Sequence, residues 1–422
     1  MVFLVNVVQD PGRIGIEDAA LADNVAAIVA VVMFSAIPAI IVLGNVGSGV
    51  VLNMQHRIVL WKLAGATPRQ CGLIATGQLS AACLVGALAG VMASLPFLAP
   101  LTHVLLTMAG SDTSSMAATA TSGALAVCLS YVIGLFGSLR PLRVAGRVRM
   151  GSALRETETK AGGRPVARAA LAVTLAVSAL LLTHETFNAD PSATLDSGLN
   201  TALGSGVLIL CTMAVASRWL IPWTARWGWI VPRRISPSWA LALNFARANP
   251  GRITATNLPF LVAAGIAAIF SGLFITWQRA LQANASSEIL NSSDTIALIA
   301  PAVTIGLVGA AGQVLLSRRR RLLDFALLRI SGASRRTLYT TAASEVVLGS
   351  ATVFLLSTAL ALLVSAMTSH VLTVNGLSAG IALNWPLHLG IIAAGFILTA
   401  SIGISAAQTA SQGNPRHYLA TR

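Results

Sequence analysis

Residues 57–70 read RIVLWKLAGATPRQ, and residues 324–337 read DFALLRISGASRRT. With position 57 laid on 324, Leu60 falls on Leu327, Lys62 on Arg329 and Leu63 on Ile330. Gly65 then falls on Gly332, Ala66 on Ala333, Thr67 on Ser334 and Arg69 on Arg336. Farther along, Gln78 falls opposite Glu345. In each copy two apolar residues recur at helical spacing. Lys62 and Arg329, with the flanking arginines, are expected on the other face. Gly65 and Gly332 suit a left-handed helix C-cap, and Thr67 and Ser334 suit the N-cap of a following helix. The pattern predicts a short amphipathic helix, twice, each held between two long apolar stretches.

Those flanking stretches set the class of protein. Of 422 residues, 55% are hydrophobic and 10% charged, and mean hydropathy is +0.77. A soluble domain carries about a quarter charged residues, so the polar surface is too small to cover a water-facing globule. Nine apolar spans are predicted at 25–52, 71–97, 117–138, 168–184, 200–222, 254–277, 295–317, 338–366 and 388–410. Most reach the roughly 20 residues a helix needs to cross hydrocarbon. Lipid offers no partner for stray backbone groups, which leaves helices. The alternation of a transmembrane β-barrel is absent from the sequence. The expectation is an all-α polytopic membrane protein.

Charge predicts orientation. Every Lys and Arg except Arg13 and Arg279 lies after an odd-numbered span. The opposite loops hold Asp10, Glu17, Asp18, Asp23, Asp112, Glu185, Asp190, Asp196, Glu288 and Asp294. Basic loops stay cytoplasmic, so the N-terminus is expected outside and the C-terminus inside. The net charge of +14 then marks a membrane-facing and partner-facing surface, for anionic lipid or an acidic protein, and not a nucleic-acid binder. Met1–Val8 is apolar but too short to span, and it does not read as a signal peptide.

Even numbers of spans separate the two copies, so both units share one orientation and imply a pseudo-two-fold axis along the membrane normal. The expected layout is an outer tail at 1–24, a first unit of three spans at 25–156, a two-span connector at 157–237, and a second unit of four spans at 238–422.

Other chemistry is sparse. Glu345 is the one acid predicted inside a span, and it is expected either to snorkel or to meet Arg329 or Arg335 on the basic helix. With Gln78 it forms the intramembrane polar set. His103, His184, His370 and His388 are expected at the outer surface. Cys71, Cys83, Cys128 and Cys211 form no C-x-x-C pair. No zincin, nucleophile-elbow or paired-carboxylate motif occurs, so no catalytic, cofactor-binding or metal-binding residue is assigned. No G-x-x-x-x-G-K-[ST] occurs either; GNVGSGVV at 44–51 lacks the lysine that would reach a nucleotide phosphate. Pro38, Pro96 and Pro301 fall in or near span ends, where they can kink helices.

LWKLAGATPRQ and FALLRISGASRRT resemble the E-I-A-L-L-R-A-L-G-A-T-R-R-Q segment of the FtsX/MacB-type ABC transporter permeases. ALALNFARANPGR at 240–252 resembles the segment that opens a unit in that family, and SALRE at 152–156 the tail that closes one. The chain departs from the family in Arg57 and Asp324, where relatives often carry Glu, and in Pro68. It also reads as nine spans in place of ten, without an opening helix in the first unit and without a large outer domain.

The resemblance implies a membrane subunit that is not itself an enzyme. A separate ABC ATPase, in two copies, would bind ATP and Mg and seat against the two matched segments. The implied coupling residues are Arg57, Leu60, Lys62, Leu63, Gly65, Ala66, Thr67 and Arg69, with Asp324, Leu327, Arg329, Ile330, Gly332, Ala333, Ser334 and Arg336. The implied setting is a bacterial plasma membrane. The implied work is export or extraction of an amphipathic or lipophilic compound such as a drug, antimicrobial peptide or lipid. A mechanotransmitting subunit that moves nothing across is the alternative.

Overall fold

The computed structural model describes residues 35–51, 54–108, 120–146, 165–188, 195–230, 236–283 and 292–412. The expected outer tail at 1–24, the closing segment at 152–156 and residues 413–422 lie outside them. All regular structure among the described residues is helical, with no strand. Helices α1 (Ser35–Val51), α2 (Gln55–Leu63), α3 (Pro68–Met108) and α4 (Ala120–Gly146) come first. Then follow α5 (Pro165–Phe187), α6 (Leu195–Thr224), a 3-10 turn at Ala225–Trp229 and α7 (Pro237–Ala248). Last come α8 (Pro250–Ala283), α9 (Ser292–Ile330), α10 (Arg335–Val374) and α11 (Trp385–Gln412).

Nine of these helices, α1, α3, α4, α5, α6, α8, α9, α10 and α11, fall on the nine expected spans. Seven are long and apolar enough to cross a membrane; α1 and the apolar part of α4, Gly123–Leu139, are shorter. The first span was expected from residue 25, and its beginning lies outside the described residues.

The chain divides into two compact units, Met1–Ala161 and Gly162–Arg422. In the first, α3 and α4 run against each other, tied by a 2.6 Å hydrogen bond between the Ser80 and Tyr131 hydroxyls. In the second, α8 is the hub, with α6, α9, α10 and α11 against its sides. Helices α5 and α6, expected as a connector, also join this unit: α5 lies along α6, and both reach α10.

The sequence of α8 explains its central place. Its middle, PFLVAAGIAAIF, is apolar on every face, and such a helix stays inside a bundle. Leu261, Val262, Ala263, Ala264, Ala268 and Ile269 are fully buried. Helix pairs surrounded by lipid gain from close backbone approach at small residues. Gly272 and Gly306 supply it. A methyl at Gly272 would stand 2.9 Å from the Ala361 carbonyl oxygen, and one at Gly306 would stand 2.8 Å from that of Pro259. Pro259 and Pro301 sit inside α8 and α9 without ending them.

One expectation changes at the second repeat. Residues 324–330 do not form a separate short helix; they are the last two turns of α9, which runs unbroken from Ser292. The stretch SRRRRLLDFALLRI holds no Gly or Pro to stop it. In the first unit the matching segment is a helix of its own, α2, which starts after Met54.

Gly306→Ala should cost about 1–3 kcal/mol through overpacking. Gly312→Ala, one helix turn and a half away with nothing within 4 Å of its added carbon, should be neutral or should stabilise by about 0.5–1 kcal/mol. Chemical unfolding of both variants in mixed micelles measures the difference.

Candidate functional site

The two repeated segments end in the same turn. Gly65 has φ +94° and Gly332 φ +93°, a region that L side chains rarely adopt. In the first copy the Gly65 N–H donates to the Lys62 carbonyl at 3.1 Å and the Ala66 N–H to that of Trp61 at 2.9 Å. In the second, Gly332 donates to Arg329 at 3.1 Å and Ala333 to Leu328 at 3.0 Å. This is the Schellman arrangement, which satisfies the orphan carbonyls of a helix end. The next helices start alike. Ser334 caps α10 by accepting from the Thr337 N–H at 3.2 Å. Thr67 accepts from the Gln70 N–H at 3.3 Å while Gln70 Oε1 accepts from the Thr67 N–H at 2.8 Å, a reciprocal capping box.

Burial repeats with the backbone. Ile58, Val59, Cys71 and Ala75 form a core against which Trp61 and Ala66 pack. Phe325, Leu338 and Ala342 form its counterpart, with Leu328 and Ala333 against it, and Ala326 is buried beside them. We call residues 57–67 the first lever and 324–334 the second.

Each lever turns an apolar pair outward. Leu60 and Leu63 are 51% and 68% exposed, and Leu327 and Ile330 are 53% and 55%. Arg57 and Arg69 are exposed around the first pair, and Arg335 and Arg336 beside the second. This corrects the expected polarity. Lys62 and Arg329 were placed on the outward face, yet Lys62 is buried, and Arg329 turns inward to donate to the Ala410 carbonyl of α11 at 3.0 Å. Helical spacing explains it. Lys62 lies four residues after Ile58 and three after Val59, so it shares their inward face. A lysine stem tolerates such burial because most of it is hydrocarbon.

Behind the second lever lies a cluster that sequence reading missed. Arg252, in the first turn of α8, donates to Asp324 Oδ2 of α9 at 2.6 Å and to Glu345 Oε1 of α10 at 2.8 Å. Arg321, almost fully buried, stands 3.2 Å from Glu345 Oε2. The Phe245 ring lies 5.9 Å from the Arg252 guanidinium. Glu345 therefore meets Arg252 and Arg321, not Arg329 or Arg335. A lone acid within a span needs a cation, because an isolated charge in hydrocarbon is expensive. That rule called for a partner, but the two flanking arginines stood nearer in sequence than Arg252 did. Asp324, assigned to the ATPase by resemblance, is held by Arg252. Its first-lever counterpart Arg57 and the Glu345 counterpart Gln78 are both exposed.

The histidines divide. His388, expected at the surface, is buried, with its Nε2 3.1 Å from the Thr358 hydroxyl and 3.3 Å from that of Ser357. The α11 face carrying it packs on α10, which the apolar run around it did not reveal. His370 reaches the Phe187 carbonyl at 2.9 Å. The side chain of His103 lies outside the described residues. Among the described residues no three His, Cys, Asp or Glu side chains group to hold a metal.

Compared with known families, residues 295–415 match the FtsX-like permease C-terminal domain. The match covers most of α9 with α10 and α11, and so includes the second lever. No curated protein matches the chain, and no solved structure does.

Glu345→Ala leaves Arg252 and Arg321 without their shared carboxylate. It should cost about 3–5 kcal/mol, the range for breaking one side of a buried pair. Gln78→Ala, at the matched but exposed position, should change stability by less than about 0.5 kcal/mol. Urea unfolding followed by tryptophan fluorescence separates the two.

Proposed function

We propose that this chain, whose residues 295–415 match the FtsX-like permease C-terminal domain, is the membrane subunit of an ABC transporter and that its two levers are the seats of a separate ATPase. The observation that carries this reading is the doubled lever. Two segments far apart in sequence share one turn, one capping scheme, one buried core and one outward apolar pair. A helix end that only had to stop would not need the same pair exposed twice.

The exposed chemistry suits a protein groove. Leu60 with Leu63, and Leu327 with Ile330, each give a small apolar centre with arginines nearby. Interfaces commonly set an apolar core inside a polar rim. A partner groove with an apolar floor and acidic edges would accept either lever. Two levers on one chain call for two ATPase copies, each holding its own ATP and Mg. The levers then lie on the cytoplasmic side of a bacterial plasma membrane, a placement that the clustering of basic residues in the loops beside them supports.

Nucleotide-driven closure of the ATPase pair would push on the levers and on the spans behind them. The cargo class that fits is an amphipathic or lipophilic compound, taken from the bilayer and exported or extracted. Leu84, Val85 and Leu88 of α3 and Val173, Val177 and Leu180 of α5 are exposed, apolar surface of the kind such a compound would meet within a bilayer.

The test is co-purification with a co-expressed ABC ATPase. Leu63→Asp and Ile330→Asp each place a charge at the centre of a seat. Each should weaken binding by about 30-fold or more, the loss of one interface hot spot of about 2 kcal/mol. Together they should abolish the complex while the chain stays folded. Retention of the ATPase by the double variant overturns the assignment. Accumulation of a lipophilic dye in inverted vesicles upon ATP addition separates export from a force-transmitting role.

A further inference from the structure

The levers have the same surface but not the same footing. Behind the second, the Arg252 guanidinium joins three helices: its own α8, α9 through Asp324 at 2.6 Å, and α10 through Glu345 at 2.8 Å. Asp324 lies within the second lever itself, one turn before Leu327. Arg321 forms an ion pair with the second oxygen of Glu345 at 3.2 Å. An arginine suits this task because its planar fork can bond two carboxylates at once in a fixed geometry. The first lever differs at the two positions that carry these carboxylates. The positions equivalent to Asp324 and Glu345 are Arg57 and Gln78, a cation and an amide, and neither carries the negative charge that pairs a carboxylate with a guanidinium.

At the far end of α8 a second set of bonds waits. The Thr276 hydroxyl meets the Ser365 hydroxyl of α10 at 2.6 Å. The Ser365 side chain donates to the Ala382 carbonyl at 3.0 Å and accepts from the Ala382 N–H at 2.9 Å. The Ser369 hydroxyl donates to the Ala379 carbonyl at 2.8 Å. These bonds pin the non-helical segment 377–384, a strap between α10 and α11, to the far parts of α8 and α10. From Arg252 to Thr276 the helix is unbroken, and at 1.5 Å per residue it spans about 36 Å. Most of that length is buried on all sides.

We propose that Arg252 is a positioning residue that locks the second lever to α8, so that displacement of Leu327–Ser334 is carried along α8 and α10 to the strap at 377–384, whereas the matched positions of the first lever, Arg57 and Gln78, offer no carboxylate for such a lock. The proposal rests on the reading of the levers as ATPase seats and adds that the two seats are mechanically unequal. A packed core switches between arrangements more readily than it deforms, so a clamped lever and its helix move together. The strap is where that motion would meet the far side of the membrane.

The experiment is amide hydrogen exchange on the full chain in lipid nanodiscs. Asp324→Asn keeps the Arg252–Glu345 and Arg321–Glu345 pairs, so the fold is retained, and it weakens the lever's own bond. Exchange over 327–334 should rise about 10- to 100-fold, the value of one charge-assisted hydrogen bond. Arg57→Asn should leave exchange over 60–67 unchanged. Arg252→Gln should loosen both 327–334 and 379–382, and Arg252→Lys, which restores the charge but not the fork, should recover part of the protection.

In the ATPase complex, ATP should alter exchange at 379–382 in the wild-type chain. Asp324→Asn should remove that response without lowering ATPase retention. Unchanged exchange at 327–334 in Asp324→Asn overturns the lock. An undiminished ATP response at 379–382 in the same variant overturns the transmission. If the wild-type chain holds no ATPase, the proposed function falls, and exchange in the chain alone still decides for or against the lock.

Discussion

At the foot of α8 a single guanidinium holds carboxylates from two other helices, where few other polar partners are at hand. That scarcity governs the second unit. A charge near hydrocarbon must find its opposite, and Arg252, Arg321, Asp324 and Glu345 solve this jointly, two cations against two anions. The solution dictates where the start of α8, the end of α9 and the start of α10 stand relative to one another. Once those three are fixed, the turn at Gly332 has a defined place, and the lever it ends is part of the bundle.

The rest of the unit grows from the same constraint applied to apolar groups. Helix–helix association within lipid gains little from hiding hydrocarbon, because lipid tails are equally apolar. Contact must come from close fit and from hydrogen bonds. Gly272 and Gly306 bring backbones together around α8, and the Thr276, Ser365 and Ala382 bonds close its far end. A central helix gripped at both ends and fitted along its sides is a stiff element. Stiffness is what a subunit needs if force enters at one membrane surface and is used at the other.

The duplicated segments show how a repeat can preserve a surface while its support diverges. The turn, the caps and the buried residues recur position for position, and so do the two outward apolar side chains. The support does not recur: Asp324 and Glu345 face Arg252, while Arg57 and Gln78 have the wrong chemistry for it. Recurrence of the outward pair supports the proposal that both levers meet one kind of partner. Divergence beneath is what underlies the proposed difference between them.

Much of this was readable from the chain before any coordinates. Hydropathy located the spans, because hydrocarbon thickness translates directly into helix length. The positive-φ turn at Gly65 and Gly332 and the caps at Thr67 and Ser334 were also legible, since helix ends are decided by neighbours within five residues. Four features were not. The inward turn of Lys62 and Arg329 ran against a polarity rule made for water, and depended on which side of the helix met the core. The continuity of α9 through 330 depended on the lack of a breaker after the span, where a separate helix had been expected. Arg252 as the partner of Glu345, 93 residues away, and the burial of His388 against α10 depended on which helices pack together. Pairings of that kind follow from shape and close fit across the bundle, and they take form only when the helices meet.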